Sequence, residues 1–298
     1  MSCVHLRLPA TSANLGPGFD SVALALKLYL YVEAQTNERI TVEATGRDAS
    51  ICGATQNNLL VDTYREILAA HKREFVPLSL KVRNEIPLGM GCGSSAAVRL
   101  AAVTLASHYG GLGWSGDRIL TEAALLEGHP DNAAACWLGG FVASALEGDQ
   151  VHAISIAPPS EWRAVIALPD HPLATTASRS LLPDHYTRKD AVANLQRVAL
   201  LTAAVASGRE DLLAIAMGDR LHQPFRIETC TLLARLLPLA GRGGIAGIAL
   251  SGAGPAVLLL TPSEKAASEA KNLAAKELGG DGNVEFLTCE IESRPVAF

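Results

Sequence analysis

The sequence predicts an α+β protein of two domains, and three observations carry that prediction. A glycine- and serine-rich segment in the first half joins a strand-like stretch to an alanine-rich helix. The second half reads strand, two helices, two strands, helix, strand. A proline pair, Pro158-Pro159, stands between the halves. The expected domains are residues 1–158 and 159–298. A chain of 298 residues, 49% hydrophobic and 18% charged, has the length and the apolar content for two packed cores.

The elements follow from local patterning. Leu28, Leu30 and Val32 alternate, as do Ile40, Val42 and Ala44, and Leu78, Leu80 and Val82. A period of two suits half-buried strands. Residues 57–73 place Leu60, Tyr64, Ile67 and Leu68 on one helical face, with Asn57 or Asn58 as N-cap. Residues 95–108 are rich in alanine and stop at Gly110-Gly111, and Ser115 caps a further helix ending near Gly128. Beyond the proline pair, 162–168 reads as a strand, 189–207 and 210–222 as helices, and 245–251 and 256–261 as strands about a glycine turn. An amphipathic helix capped by Ser263 runs to Leu278, and 284–291 closes as a strand. This order fits a ferredoxin-like α+β sandwich with one extra helix.

Composition narrows the function. The formal net charge is -5, from 25 basic and 30 acidic residues. Nucleic-acid and anionic-membrane partners call for a basic excess, so neither is expected. The six cysteines are scattered, without a C-x-x-C pair, and read as reduced thiols of a cytoplasmic protein. No secretory signal is expected at the N-terminus. The apolar stretch 245–260 is broken by glycine and proline and is too short to span a bilayer.

The most informative segment comprises Pro87, Leu88, Gly89, Met90, Gly91, Cys92, Gly93, Ser94, Ser95, Ala96 and Ala97. Its alternating glycines allow a tight backbone whose N–H groups can approach an anion. The following helix N-terminus points unpaired N–H groups and a positive dipole end at the same place. An ordinary turn with a serine cap would need fewer of these features together. The segment lacks the lysine of a Walker loop and the spacing of a dinucleotide fingerprint.

These residues resemble the phosphate-loop motif of the GHMP kinases, with Cys92 where that family usually has leucine. Residues 9–20, Pro-Ala-Thr-Ser-Ala-Asn-Leu-Gly-Pro-Gly-Phe-Asp, are similar to the opening motif of the homoserine kinase branch. Residues 127–132, Glu-Gly-His-Pro-Asp-Asn, match a string common in that branch, and residues 250–257 are similar to the third GHMP motif. For this last segment a plain hairpin turn is the alternative. The resemblance spans residues 9 to about 257. It implies a two-domain GHMP kinase fold: an N-terminal ATP-binding domain with a left-handed βαβ crossover, a ferredoxin-like C-terminal domain, and a cleft between them. It also implies a homodimer, and ATP-dependent phosphorylation of the homoserine side-chain hydroxyl.

Carried over residue by residue, the resemblance makes Arg179 and Arg226 the readers of the substrate carboxylate, a task that suits a guanidinium fork. Asp20 takes the ammonium, Thr175 adds a hydroxyl contact, and Asn14 and Asn132 orient the reacting hydroxyl. Asn14 and Arg179 are thereby also catalytic candidates. Magnesium is assigned to Ser95 and Glu127, both hard oxygen donors, with Glu122 the second choice. Asp131 falls where other GHMP kinases have a catalytic aspartate. A base there and a structural role at the loop's end both stay open, since phosphoryl transfer depends mainly on positioning and charge neutralisation. The alternatives are a GHMP kinase for mevalonate or shikimate and a non-catalytic GHMP-like binding protein. Asp20 argues against the first, because those substrates carry no ammonium. Ser94, Ser95 and Glu127 argue against the second.

Overall fold

In the computed structural model, residues 3–171, 178–279 and 284–297 are described. They build two sheets. The first holds β1 (Val4–Ala13), β2 (Val22–Thr36), β3 (Thr41–Gly46), β4 (Leu78–Asn84), β5 (Phe141–Glu147) and β6 (Gln150–Ile156), in the order β3-β4-β2-β5-β6 with β1 paired to β2. The fifteen-residue β2 organises this sheet. Its start pairs with β5, its end with β4, and β1 runs antiparallel along its length with an irregularity between Pro9 and Ala10. β3 and β4 are parallel, so the chain between them makes a crossover, through α1 (Ala49–Cys52) and α2 (Leu59–Ala70).

Asn58 caps α2, accepting from the Leu60 and Val61 N–H groups. Helix α3 (Ser94–Tyr109) packs against α2 and β1, and its alanines are buried, which suits a helix enclosed nearly all round. Ser115 caps α4 (Gly116–Glu127), which ends on a left-handed Gly128, and α5 (Asp131–Leu138) follows after three residues.

The second sheet holds β7 (Arg163–Leu168), β8 (Gly247–Leu250), β9 (Val257–Thr261) and β10 (Glu285–Glu290) in the order β10-β7-β9-β8, all antiparallel. Together with α6 (Arg188–Ala206) and α10 (Glu264–Leu278), this is the ferredoxin-like arrangement expected. The helix expected over 210–222 is not continuous. A 3₁₀ turn at Glu210–Leu212 leads into α7 (Leu213–Ala216), and the chain then leaves the helical path. The Asp219 carboxylate accepts from the Leu221, His222 and Gln223 N–H groups, which a continuing helix would have committed to carbonyls. Two short helices follow, α8 (Gln223–Arg226) and α9 (Thr231–Leu236).

Three further elements were hidden from a period-two reading. β1 from Leu8 onward, the first half of β2 and the start of β5 are buried on both faces and show no alternation. After β10 the chain returns to the first sheet. Ile291 bridges Leu26, the Glu292 carbonyl accepts from Gly140 N–H at 2.6 Å, and Val296 N–H donates to the Trp137 carbonyl. The Glu292 carboxylate is buried and accepts from the Tyr29 hydroxyl at 2.6 Å. Among the described residues, no helix is long and apolar enough to cross a membrane. Cys92, Cys136, Cys230 and Cys289 are buried, and burial pushes the Cys92 thiol up to about 12.

Candidate active site

A cleft of about 220 Å³ lies where the opening motif, the glycine loop, the 127–132 string and the second sheet's β8–β9 turn meet. The glycine loop supplies its floor. Gly89, Gly91 and Gly93 have positive φ, and all three line the cleft with Ser94 and Ser95. Neighbouring atoms, backbone in one case and a side chain in the other, leave no room for a Cβ at two of these glycines. A Cβ on Gly91 would sit 2.1 Å from the Ser251 carbonyl oxygen, and one on Gly93 would sit 1.9 Å from Thr11 Oγ1. The N-terminus of α3 opens at this floor. Pro87, Cys92, Ala96 and Ala97 are buried beneath it, so these four expected nucleotide contacts shape the loop from below. The Met90 carbonyl is taken by Ala256 N–H at 3.2 Å.

Beside the cleft is a second, largely apolar cavity of about 250 Å³, walled by Leu30, Val42, Leu80, Val82 and Leu88. Ser94 and Ser95 line both spaces. A flat, mostly apolar heterocycle therefore has room next to an anion-binding helix end. Sequence reading missed this cavity because its walls come from three strands of the sheet.

The segment at 250–257 takes the form of the hairpin turn considered for it. It joins β8 to β9, and it also presses on the glycine loop. Ser251 Oγ donates to the Gly91 carbonyl at 2.8 Å and lies 2.9 Å from Ser12 Oγ, while Gly252 and Ala253 line the cleft.

The expected metal ligands are adjacent. Ser95 Oγ–H donates to Glu127 Oε1 at 2.6 Å. Both are hard oxygen donors, and a small adjustment would let both oxygens face one cation. This hard-oxygen pair, with the Glu127 side chain only 10% exposed, fits magnesium. Arg99, absent from the sequence-based site, has Nε 2.7 Å from Glu127 Oε1 but without the alignment of a hydrogen bond. Its guanidinium sets a positive charge beside that carboxylate. Glu122 pairs instead with Arg118 one turn away on α4 and does not line the cleft.

At the opposite end the charged residues pair with each other. Arg179 makes a bidentate bridge to Asp20, at 2.8 and 2.9 Å, so the groups assigned to carboxylate and ammonium neutralise one another. Phe19 lies between two cations, its ring centre 5.2 Å from the Arg179 guanidinium carbon and 5.6 Å from that of Arg226. Arg226 is buried, donating to the Ser178 and Gly252 carbonyls. Burial, then the nearby Arg179 charge, lowers its pKa. Thr175 lies outside the described residues.

Asn14 is in the left-handed region at φ 70, and its amide is already engaged: Oδ1 accepts from Asp20 N–H and Nδ2 donates to the Gly252 carbonyl. Asn132 Oδ1 accepts from Thr11 Oγ1 at 2.7 Å. Asp131 is 1% exposed and its Oδ1 meets Asn132 N–H and His129 Nδ1, both at 2.7 Å. His129 was not singled out in the sequence, although it stands between two carboxylates in the string that was. Burial opposes its charge, but Asp131, Asp20 and Glu127 together raise its pKa.

Comparison with known proteins agrees with this geometry. The family model for the GHMP kinases N terminal domain matches residues 58–140, and that for GHMP kinases C terminal matches 200–278. A homoserine kinase of Solibacter usitatus is 44% identical over 259 residues, 87% of this chain and 85% of its own. One from Moorella thermoacetica is 40% identical over 255 residues, 85% and 86% respectively. The crystal structure of homoserine kinase from Cytophaga hutchinsonii superposes with a TM-score of 0.81 at 23% identity, covering 100% of this chain and 97% of that one, and so shares the fold. A glycine loop opening on a helix, a cleft between two sheets and relatives of this closeness lead to one conclusion: the chain belongs to the homoserine kinase family of the GHMP kinases.

Proposed function

We infer that this enzyme transfers the γ-phosphoryl group of ATP to the side-chain hydroxyl of L-homoserine, giving O-phospho-L-homoserine. The observation that carries this reading is the cleft itself, with an anion-binding helix end at one side and a paired anion and cation at the other. The apolar cavity takes the nucleoside end of ATP, and the loop and the α3 N-terminus take the phosphates. Ser95 and Glu127 hold magnesium. When bound, it neutralises phosphate charge during transfer.

The substrate end works by exchange. A zwitterionic amino acid offers a carboxylate to Arg179 and an ammonium to Asp20, replacing the ion pair those residues make with each other. Arg226 remains as a second cation for the carboxylate. This exchange loses little, because each partner leaves one opposite charge for another. A ligand lacking the ammonium would strand Asp20 beside its own anionic group, which disfavours mevalonate and shikimate. Asn132 still has N–H capacity, and Asn14 one N–H and one lone pair, to orient the reacting hydroxyl. Asp131 anchors His129 and the start of α5; the transfer asks no base of it.

An ATP-consumption assay with homoserine, mevalonate and shikimate side by side tests the assignment. Turnover with homoserine alone is the expected result. Turnover with either rival, or with none, overturns it. Glu127→Ala should weaken magnesium-dependent turnover about tenfold or more. An unchanged magnesium dependence there would move the metal elsewhere. The homodimer implied by the family belongs to the same reading and is read directly by sedimentation velocity. So does a cytoplasmic location, where ATP is at hand.

A further inference from the structure

The segment that breaks the helical path after α7 contains a buried polar chain. Asp219, its carboxylate fully buried, accepts Asn194 Nδ2–H at 2.7 Å in addition to the three backbone N–H groups already described. His222, also fully buried, has Nε2 2.7 Å from the Gly16 carbonyl oxygen and Nδ1 3.1 Å from Arg226 Nη1. A guanidinium can only donate, and a carbonyl can only accept. The imidazole must therefore carry its single proton on Nε2 and keep a lone pair on Nδ1, so both bonds hold only in one neutral tautomer. Asn194 adds a parallel tie, donating to the Pro17 carbonyl at 3.1 Å while its Oδ1 accepts from Arg220 N–H. His222 thus holds the Gly16 carbonyl, and Asn194, itself tied to Asp219 and Arg220, holds that of Pro17, within the loop that carries Asn14 and Asp20.

We propose that His222 is a positioning residue for substrate recognition, fixing the distance between Arg226 and the Asn14–Asp20 loop by donating to Gly16 and accepting from Arg226. This deepens, and rests on, the reading of the cleft as an amino-acid site. Arg226 comes from the second half of the chain and Asp20 from the first. One ring touching both sets the spacing at which the two ends of a zwitterion are read. Asp219 acts behind it by holding the 221–223 backbone.

The experiment compares the full-length enzyme with His222→Phe, His222→Asn and His222→Gln. Phenylalanine keeps the ring and loses both bonds. Asparagine can still accept from Arg226, and glutamine can still reach Gly16. The expected result is a KM for homoserine raised about tenfold or more in His222→Phe, with a smaller rise in each amide variant and KM for ATP within about twofold throughout. A lowered melting temperature with homoserine KM unchanged in all three variants would overturn the proposal, since that is the pattern of a packing residue. A nitrogen-15 spectrum of the His222 ring supplies a readout independent of substrate. Protonation at Nε2 and a free Nδ1 lone pair are expected near neutral pH. A proton on Nδ1 would overturn the proposal whatever the enzyme phosphorylates. Failure of the wild type to use homoserine would instead count against the functional reading alone.

Discussion

The two ends of the cleft are built from different materials. The proposed phosphate end is mainly backbone: glycines at positive φ, a helix N-terminus, and the carbonyls of Met90 and Gly91 tied by Ala256 and Ser251. The substrate end is made of side chains: Asp20 on Arg179, Phe19 between two guanidiniums, His222 on Arg226. Backbone presents the same groups whatever the residue, so it suits a phosphate chain common to many reactions. Side chains can be placed one at a time to read one small molecule. The difference teaches that damage to the first end should be steric and broad, and damage to the second chemical and selective.

The largest effect expected tests the first half of that contrast. Gly93→Ala places a methyl group against Thr11 at a φ of 70. Left-handed strain and overpacking together cost about 2–5 kcal/mol. Urea unfolding should report that loss, and ATP turnover should fall with it. A variant of wild-type stability would mean that the loop yields easily and that the comparison is drawn too sharply.

Asp219→Asn should come next, at about 3 kcal/mol, because the amide NH₂ faces donors and a buried network loses its anion. This cost depends on pH. Burial alone would raise the Asp219 pKa, but the Asn194 amide and the Leu221 and Gln223 N–H groups that donate to it favour its charged form, so the native value is depressed. A depressed carboxylate stabilises the fold above the ordinary carboxylate range, and this is lost as pH falls through the native value. The gap between wild type and Asp219→Asn should therefore be full at neutral pH and narrow in acid. A gap that widens in acid would contradict the sign.

Arg179→Leu sharpens the other half. Homoserine KM should rise roughly tenfold to a hundredfold, with ATP KM and thermal stability little changed, since the residue is part-exposed and its loss frees Asp20 to meet water. Equal rises in both KM values would show that the two ends are not separable. The smallest effect belongs to a surface pair outside both ends. Lys265→Ala removes an exposed partner of Glu269 at 3.9 Å and should shift stability by less than about 0.5 kcal/mol.

The same contrast explains what the sequence disclosed. The glycine-loop end was legible because it is contiguous: one string from Pro87 to Ala97 holds its glycines and the start of its helix. The ferredoxin-like order was legible because three of its strands are short, unbroken apolar runs and α10 is amphipathic. The apolar cavity was not legible, since Leu30, Val42 and Leu80 become neighbours only when β2, β3 and β4 pair. The Asp20–Arg179 bridge joins positions 159 apart, and no local pattern signals which acid an arginine will meet. The expected helix at 210–222 failed for a related reason. Its apolar spacing was genuine, but Asp219 spends its carboxylate on local N–H groups, and Gly16 lies where its backbone meets that of Met217.

The return of the chain to the first sheet after β10 makes both described ends of the polypeptide part of one body. Val4 begins β1, Val296 rests on Trp137, and everything between β6 and Ile291 leaves and comes back. In topological terms the second sheet is an insertion within the first unit, attached by two crossings of the chain. A cut at the proline pair would therefore strip the first unit of the segment carrying Glu292, which fills a buried place beside Tyr29. A circular permutant opened between the sheets, with the native ends joined, would keep that segment in place.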